Sequence, residues 1–155
     1  MESIFQVSMF PAIENMYVPV AFCILGPAVL YRAVKNKKQA KRMFNLFWGS
    51  IATVVGTLSL VNTFINQFSV YLNLTTNDYD VSTGIVEVLR IQPQSGHAPG
   101  DLIRVGNKEF EIDYFVITPC YRKTISNGGA LTAGKHVVLY SNADCILKIV
   151  LSDES

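Results

Sequence analysis

No charged residue occurs between Arg42 and Asp78. That constrains the chain more than any other feature. A helix of about 20 apolar residues already matches a hydrocarbon core about 30 Å thick, and residues 43–77 exceed it. A second uncharged run, NMYVPVAFCILGPAVLY (residues 15–31), lies just upstream and is close to the minimum spanning length of roughly 17 residues. Neither run has the form of a cleaved signal peptide. Glu2 and Glu14 make the N-terminal flank acidic, and no small-residue cleavage site precedes a mature domain. With half its residues hydrophobic and only 16% charged, the chain departs from soluble domains. The expectation is a transmembrane hairpin in residues 1–77, with helices at about 16–34 and 44–72. A basic loop at 35–43 joins them, and a soluble β domain follows at 78–155.

The stretch YRAVKNKKQAKRM (residues 31–43) holds or borders that loop. It contains Arg32, Lys35, Lys37, Lys38, Lys41 and Arg42, six of the 13 basic residues. Residues 1–16 and 73–89 contain none. Short loops rich in Lys and Arg stay in the cytoplasm, which puts the C-terminal half outside. Attraction to anionic headgroups would give the same side.

Along the second helix, Asn45, Gly49, Ala52, Gly56, Ser59, Thr63 and Asn66 recur at steps of three and four. Every one is small or polar. Lipid gives apolar helices no reason to associate, so close backbone approach and interhelical hydrogen bonds must do so. The spacing suits a left-handed supercoil. Either the first helix packs into this seam within one hairpin, or copies of the second helix meet around an axis in an oligomer. Pro19, Gly26 and Pro27 make the first helix easier to bend.

After Asp78 the periodicity changes to two. VSTGIVEVLRI, DLIRV, KEFEI, YFVIT, HVVLYS and CILKIVL read as strands. Gly106-Asn107 is a two-residue hairpin signal, and Asn142-Ala143-Asp144 closes a second hairpin. About six short strands predict a small antiparallel sheet or partly open barrel. A domain of this size gains from oligomerisation. Cys23 reads as a packing residue. Cys120 and Cys145 can pair in an oxidising compartment and stay reduced in the cytosol.

No enzyme signature, metal-ligand spacing or cofactor fingerprint occurs. His97 lies in a Gly/Pro loop and His136 begins a strand, neither beside a second ligand. The distinctive segment is TPCYRKTISNGGALTAGKH (residues 118–136). Its glycines, hydroxyls and cations can surround phosphate oxygens, or form an ordinary solvated loop. The candidate contacts are Arg122, Lys123, Lys135 and His136 for phosphate, with Thr124, Ser126 and Asn127 beside them. Tyr121 or Tyr114 would stack on a base.

These residues resemble a family of small bacterial membrane proteins in which a two-helix hairpin precedes a β domain. A strand of the type V-x-G-x-V-x-x-F-x-P leads there to a stretch like T-P-G-F-N-x-T-x-S-H-G-G-P-I. The matching residues here are Val81, Gly84, Val86, Leu89 and Pro93, then TPCYRKTISNGGAL at 118–131. Asn127 stands at that family's His, and Tyr121-Arg122-Lys123 at its neutral Phe-Asn position. The overall plan is also similar to the membrane-bound effectors of type III CRISPR defence. That resemblance implies a non-enzymatic antiviral effector in the bacterial inner membrane, assembled as a homo-oligomer, with a tetramer favoured. It implies a cyclic oligoadenylate (cyclic tetra-adenylate) bound between subunits, no DNA partner, and signalling to the helices that perturbs the bilayer. Its C-terminal domain would be cytosolic, against the charge rule. The alternative is an envelope scaffold with an outward β domain, a Cys120–Cys145 disulfide and no nucleotide.

Overall fold

A computed structural model describes residues 2–36 and 41–152 of the protein. Lys37 and Lys38, in the middle of the basic loop, lie outside the described residues. In chain order the elements are β1 (Glu2–Gln6), α1 (Tyr17–Lys35), α2 (Arg42–Thr75), β2 (Asp80–Arg90), β3 (Asp101–Val105), β4 (Lys108–Ile112), β5 (His136–Asn142) and β6 (Cys145–Leu151). They fall into two units. One is helical, Phe10–Phe68; the other joins β1 to the chain from Ser69 onward.

Both helices are long and apolar enough to cross a membrane. At 1.5 Å per residue, α1 with 19 residues is about 28 Å long and α2 with 34 is about 51 Å. They approach through glycine. A Cβ at Gly56 would lie 2.8 Å from Phe22 Cβ and 2.9 Å from the Cys23 nitrogen, and one at Gly26 2.7 Å from the Thr53 nitrogen. Of the two arrangements the seam left open, this is the packing within one hairpin, with Gly49, Ala52 and Gly56 against α1 or partly buried.

The seam then shifts. Ser59 and Asn66 are exposed, whereas Leu60 is half-buried and Gln67 buried. A straight helix with 3.6 residues per turn drifts about 20° per heptad against a 3.5-residue repeat, so the row turns gradually off the contact line and Leu60 and Gln67 lie nearer to it than Ser59 and Asn66. Threonine hydroxyls along α2 are served locally. Thr53 Oγ1 donates to the Gly49 carbonyl at 2.7 Å, Thr57 to Thr53 at 2.8 Å and Thr63 to Ser59 at 2.9 Å. At the end of α1, where carbonyls lack intrahelical donors, Arg42 Nε donates to the Ala33 carbonyl at 3.2 Å.

The second unit is a six-stranded antiparallel sheet in the order β1-β6-β5-β2-β3-β4. β2 is the longest strand and serves two partners. Its first half pairs with β5 (Asp80 opposite Ser141) and its second half with β3 (Val86 opposite Val105). Alternation in β3 and β5 turns one face inward, where Val86, Ile103, Val105, Phe110, Ile112, Val137, Leu139, Ile146 and Ile149 form the core with Tyr121 and Leu131. The outer face of β2–β4 carries the exposed pairs Arg104–Glu109 and Arg90–Glu111, each 2.6 Å, which contribute little to stability. Gly106, at φ +60, makes the tight β3–β4 turn that the Gly-Asn pair signalled.

Two expectations change. Residues 114–118 (YFVIT) form no strand. The Tyr114 and Phe115 N–H groups donate to side chains, Gln92 Oε1 at 3.2 Å and Asp113 Oδ1 at 2.9 Å, instead of to a ladder. The sixth strand is β1, which pairs with β6 (Glu2 opposite Leu151, Gln6 opposite Lys148). The N-terminal residues therefore belong to the sheet rather than to a hairpin domain of residues 1–77.

The close pairing near Gly56 is testable, since Cys23 Sγ lies 4.0 Å from Thr57 Oγ1. Thr57→Cys should cross-link to Cys23 under mild oxidation of the full chain. Adding Gly56→Leu should cut the yield several-fold, because its side chain meets backbone. Equal yields in the two variants would contradict the packing described.

Candidate functional site

The segment from Thr118 to Lys135 has little regular structure, and its order comes from side chains that replace a ladder. Gln92 and Asp101 anchor it; both are buried. Asp101 Oδ1 accepts from the Gln92 N–H and Oδ2 from the Ile125 N–H, each at 2.6 Å. Ser126 Oγ donates to the Gln92 carbonyl at 2.7 Å. Gln92 Nε2 donates to Asp113 Oδ1 at 2.9 Å. One carboxylate and one amide thus tie β3, the end of β4 and a one-turn 3₁₀ helix at Ile125–Asn127 together. Buried carboxylate and amide groups are stable only when so satisfied.

A covalent tie adds to this. Cys120 and Cys145 form a disulfide with Cα atoms 5.2 Å apart, joining the segment to the start of β6. The next residue continues the contact, with the Tyr121 N–H donating to the Ile146 carbonyl at 3.1 Å. Tyr121 is 7% exposed, its ring edge-on to Phe5 at 5.1 Å, and its hydroxyl accepts from the Ala130 N–H at 2.7 Å. Burial raises the Tyr121 pKa above its ordinary 10.0.

The structure thus distributes the expected ligand residues differently. Tyr121 is a core residue and offers no face to a base. Thr124 is fully buried, its Oγ1 accepting from Asn127 Nδ2 at 2.8 Å while its carbonyl receives the Asn127 and Gly129 N–H groups. Ser126 is engaged with Gln92, and Lys135 Nζ donates to the Ala130 carbonyl at 3.1 Å. His136 sits on β5, with Nδ1 buried and lacking a hydrogen-bond partner among the described residues. Arg122 is half-buried and Lys123 is exposed. Tyr114 is 38% exposed, edge-on to Phe115 at 5.3 Å.

The electrostatics beside the disulfide also run against an anionic ligand. A cavity of about 520 Å³ is lined there by Glu111, Asp113 and Asp144 with Val116, Thr118, Cys120 and Tyr121. Among the described residues, no three His, Cys, Asp or Glu side chains converge as a metal site would require. Just after β4 the chain exposes an apolar stretch. Phe115 is 52%, Val116 52% and Ile117 71% exposed, on a segment fixed at both ends by Asp113 and the disulfide. Reading residues 114–118 as a strand concealed this patch; the signal for it was Pro119 directly after an apolar run. Compared with protein-family models, characterised proteins and solved structures, the chain matches none.

Asp101→Ala would orphan the buried Gln92 N–H and the part-buried Ile125 N–H and should destabilise the domain by about 3 kcal/mol, whereas Lys123→Ala should stay within roughly 0.5 kcal/mol. Chemical denaturation of the full chain in micelles measures both. Tyr121 adds a pH dependence. The folded state keeps its phenolic proton where the unfolded chain releases it, so this stabilisation is complete below about pH 10 and is lost as pH rises further. Tyr121→Phe should flatten that alkaline slope.

Proposed function

We propose that this chain is a two-span membrane protein that displays its β domain on the oxidising side of a bacterial membrane, where it acts as a non-catalytic recognition and assembly module. The observation that carries this reading is the Cys120–Cys145 disulfide, because such bonds persist in oxidising compartments and are rare in the cytosol. Two independent points support it. The charge rule assigns the basic loop to the cytoplasm and the β domain to the other side. The pairing of β1 with β6 requires the chain to leave the sheet and return to it, so spanning helices between them must cross an even number of times. Two helices satisfy that.

In this reading the exposed residues 115–117 form the contact surface, since fixed apolar patches mark protein interaction sites. The competing proposal is a cytosolic cyclic-oligoadenylate sensor. It needs reduced Cys120 and Cys145, and cations free to meet phosphate. The bonded state of Tyr121, Thr124, Ser126, Asn127 and Lys135 and the acidic cavity favour the first reading.

Topology reporters fused after Ser155 should be active outside the cytoplasm and silent within it, and a thiol count on cell-made protein should find only Cys23 free. A cytoplasmic C-terminus with free Cys120 and Cys145 would reverse the assignment, and cyclic tetra-adenylate would then be titrated against the full chain. Removing the disulfide by paired Cys→Ser changes frees a loop with sequence separation 25 and should cost about 3.5 kcal/mol in the chain-entropy description.

A further inference from the structure

Three adjacent strands place one residue each in a row across the sheet: Gln6 of β1 opposite Lys148 of β6, and Lys148 opposite Tyr140 of β5. The row faces a cavity of about 310 Å³ whose remaining wall includes Tyr71 and Thr75, at the end of α2, and Tyr79. Tyr79 packs edge-on to Tyr140 with centroids 5.2 Å apart, and its hydroxyl donates to Asn77 Oδ1 at 3.0 Å. Lys148 Nζ lies 5.5 Å from the Tyr140 ring centroid. No carboxylate lines this cavity, in contrast to the acidic one beside the disulfide. The ammonium group makes no ion pair among the described residues.

An aromatic cage without a cation would select a quaternary ammonium group. Lys148 over the ring face reverses that preference, so the complementary ligand is an anion that also accepts hydrogen bonds from tyrosine hydroxyls and an amide. Position along α2 identifies its source. Tyr71 lies 29 residues beyond Arg42 (71 − 42) on one helix, about 43 Å at 1.5 Å per residue, which matches the roughly 40–45 Å between the outer limits of the two headgroup layers. Tyr and Lys are also the residues that anchor proteins at that level.

We propose that this cavity holds the phosphate headgroup of an anionic phospholipid, with Lys148 as its charge partner and Tyr71, Tyr79, Tyr140 and Gln6 around it. The proposal rests on the reading that α1 and α2 span the bilayer. Bound lipid would hold the last turn of α2, around Tyr71 and Thr75, to the sheet of the same unit.

The test is enzymatic iodination of the full-length protein in nanodiscs, with each tyrosine read by peptide mass spectrometry. In phosphatidylglycerol discs, Tyr140 and Tyr79 should react about tenfold more slowly than in phosphatidylcholine discs, the factor that one charge-assisted hydrogen bond supports. Lys148→Gln should abolish the protection, and Arg104→Gln, which removes a cation elsewhere on the sheet, should preserve it. Equal rates in the two lipids would overturn the proposal. So would protection by phosphatidylcholine alone, or by inorganic phosphate added to phosphatidylcholine discs, which would make this a quaternary-ammonium cage or a free-anion site. Failure of the membrane reading is separable, since the protein would then be soluble without detergent and would not enter discs at all.

Discussion

The pairing of β1 with β6 is the contact on which the rest of the architecture depends. It joins Glu2 to Leu151 and Gln6 to Lys148, almost the full length of the chain apart. Closing a loop of that length costs conformational entropy, though the cost grows only slowly with length. It is offset by a run of ladder hydrogen bonds, by the Val7 N–H bond to the Leu147 carbonyl at 2.9 Å, and by Phe5 packed on Tyr121. The result is that the helical hairpin is an insertion within a β domain rather than an anchor placed before one. An insertion must depart from and return to the same sheet, which a pair of helices packed as a hairpin does.

In the segment after β4, the residue types that could form a ligand site also serve the segment's own backbone. Thr, Ser, Asn and Tyr with glycines can cradle a phosphate, but the same groups are what an irregular segment needs to satisfy its own backbone. Buried N–H and C=O groups must be paired wherever no ladder exists. Here Thr124 receives Asn127, Tyr121 receives Ala130, and Asp101 receives both Gln92 and Ile125. Composition cannot distinguish donors turned inward from donors held ready for a ligand. The difference lies in Asp101 and Gln92, which stand well before the segment in sequence and showed no sign of serving it.

What was legible in the sequence follows the range of the interactions involved. Both helices were visible from charge-free runs, and β2, β3, β4, β5 and β6 from period-two patterns with turn residues between them, because these signals are local. The seam of α2 was legible near Gly49 and Gly56, where its register starts, and turned gradually off the contact line by Ser59 and Asn66 because a straight helix does not keep a seven-residue repeat. β1 was not legible. Its five residues, ESIFQ, carry little alternation, and its only reason to be extended is a partner strand at the other end of the chain. The apolar run YFVIT was misassigned for the converse reason: its strand propensity is real, but Gln92 and Asp113 take the N–H groups that a ladder would need.

Two features bearing on sidedness arise from unrelated physics. A bias of cations such as that in residues 32–42 would act during insertion, through the cost of moving charge across a bilayer and attraction to the cytoplasmic leaflet. The disulfide depends on the redox state around the finished domain. The two signals come from separate parts of the chain, since the disulfide joins the segment after β4 to the start of β6, far in sequence from the basic loop. A cytosolic β domain would have to override the first and forgo the second. It would also have to free hydroxyls and amides that the fold already uses. An outward domain needs none of these exceptions, and it gives the exposed apolar residues 115–117 a natural use as a surface for another protein.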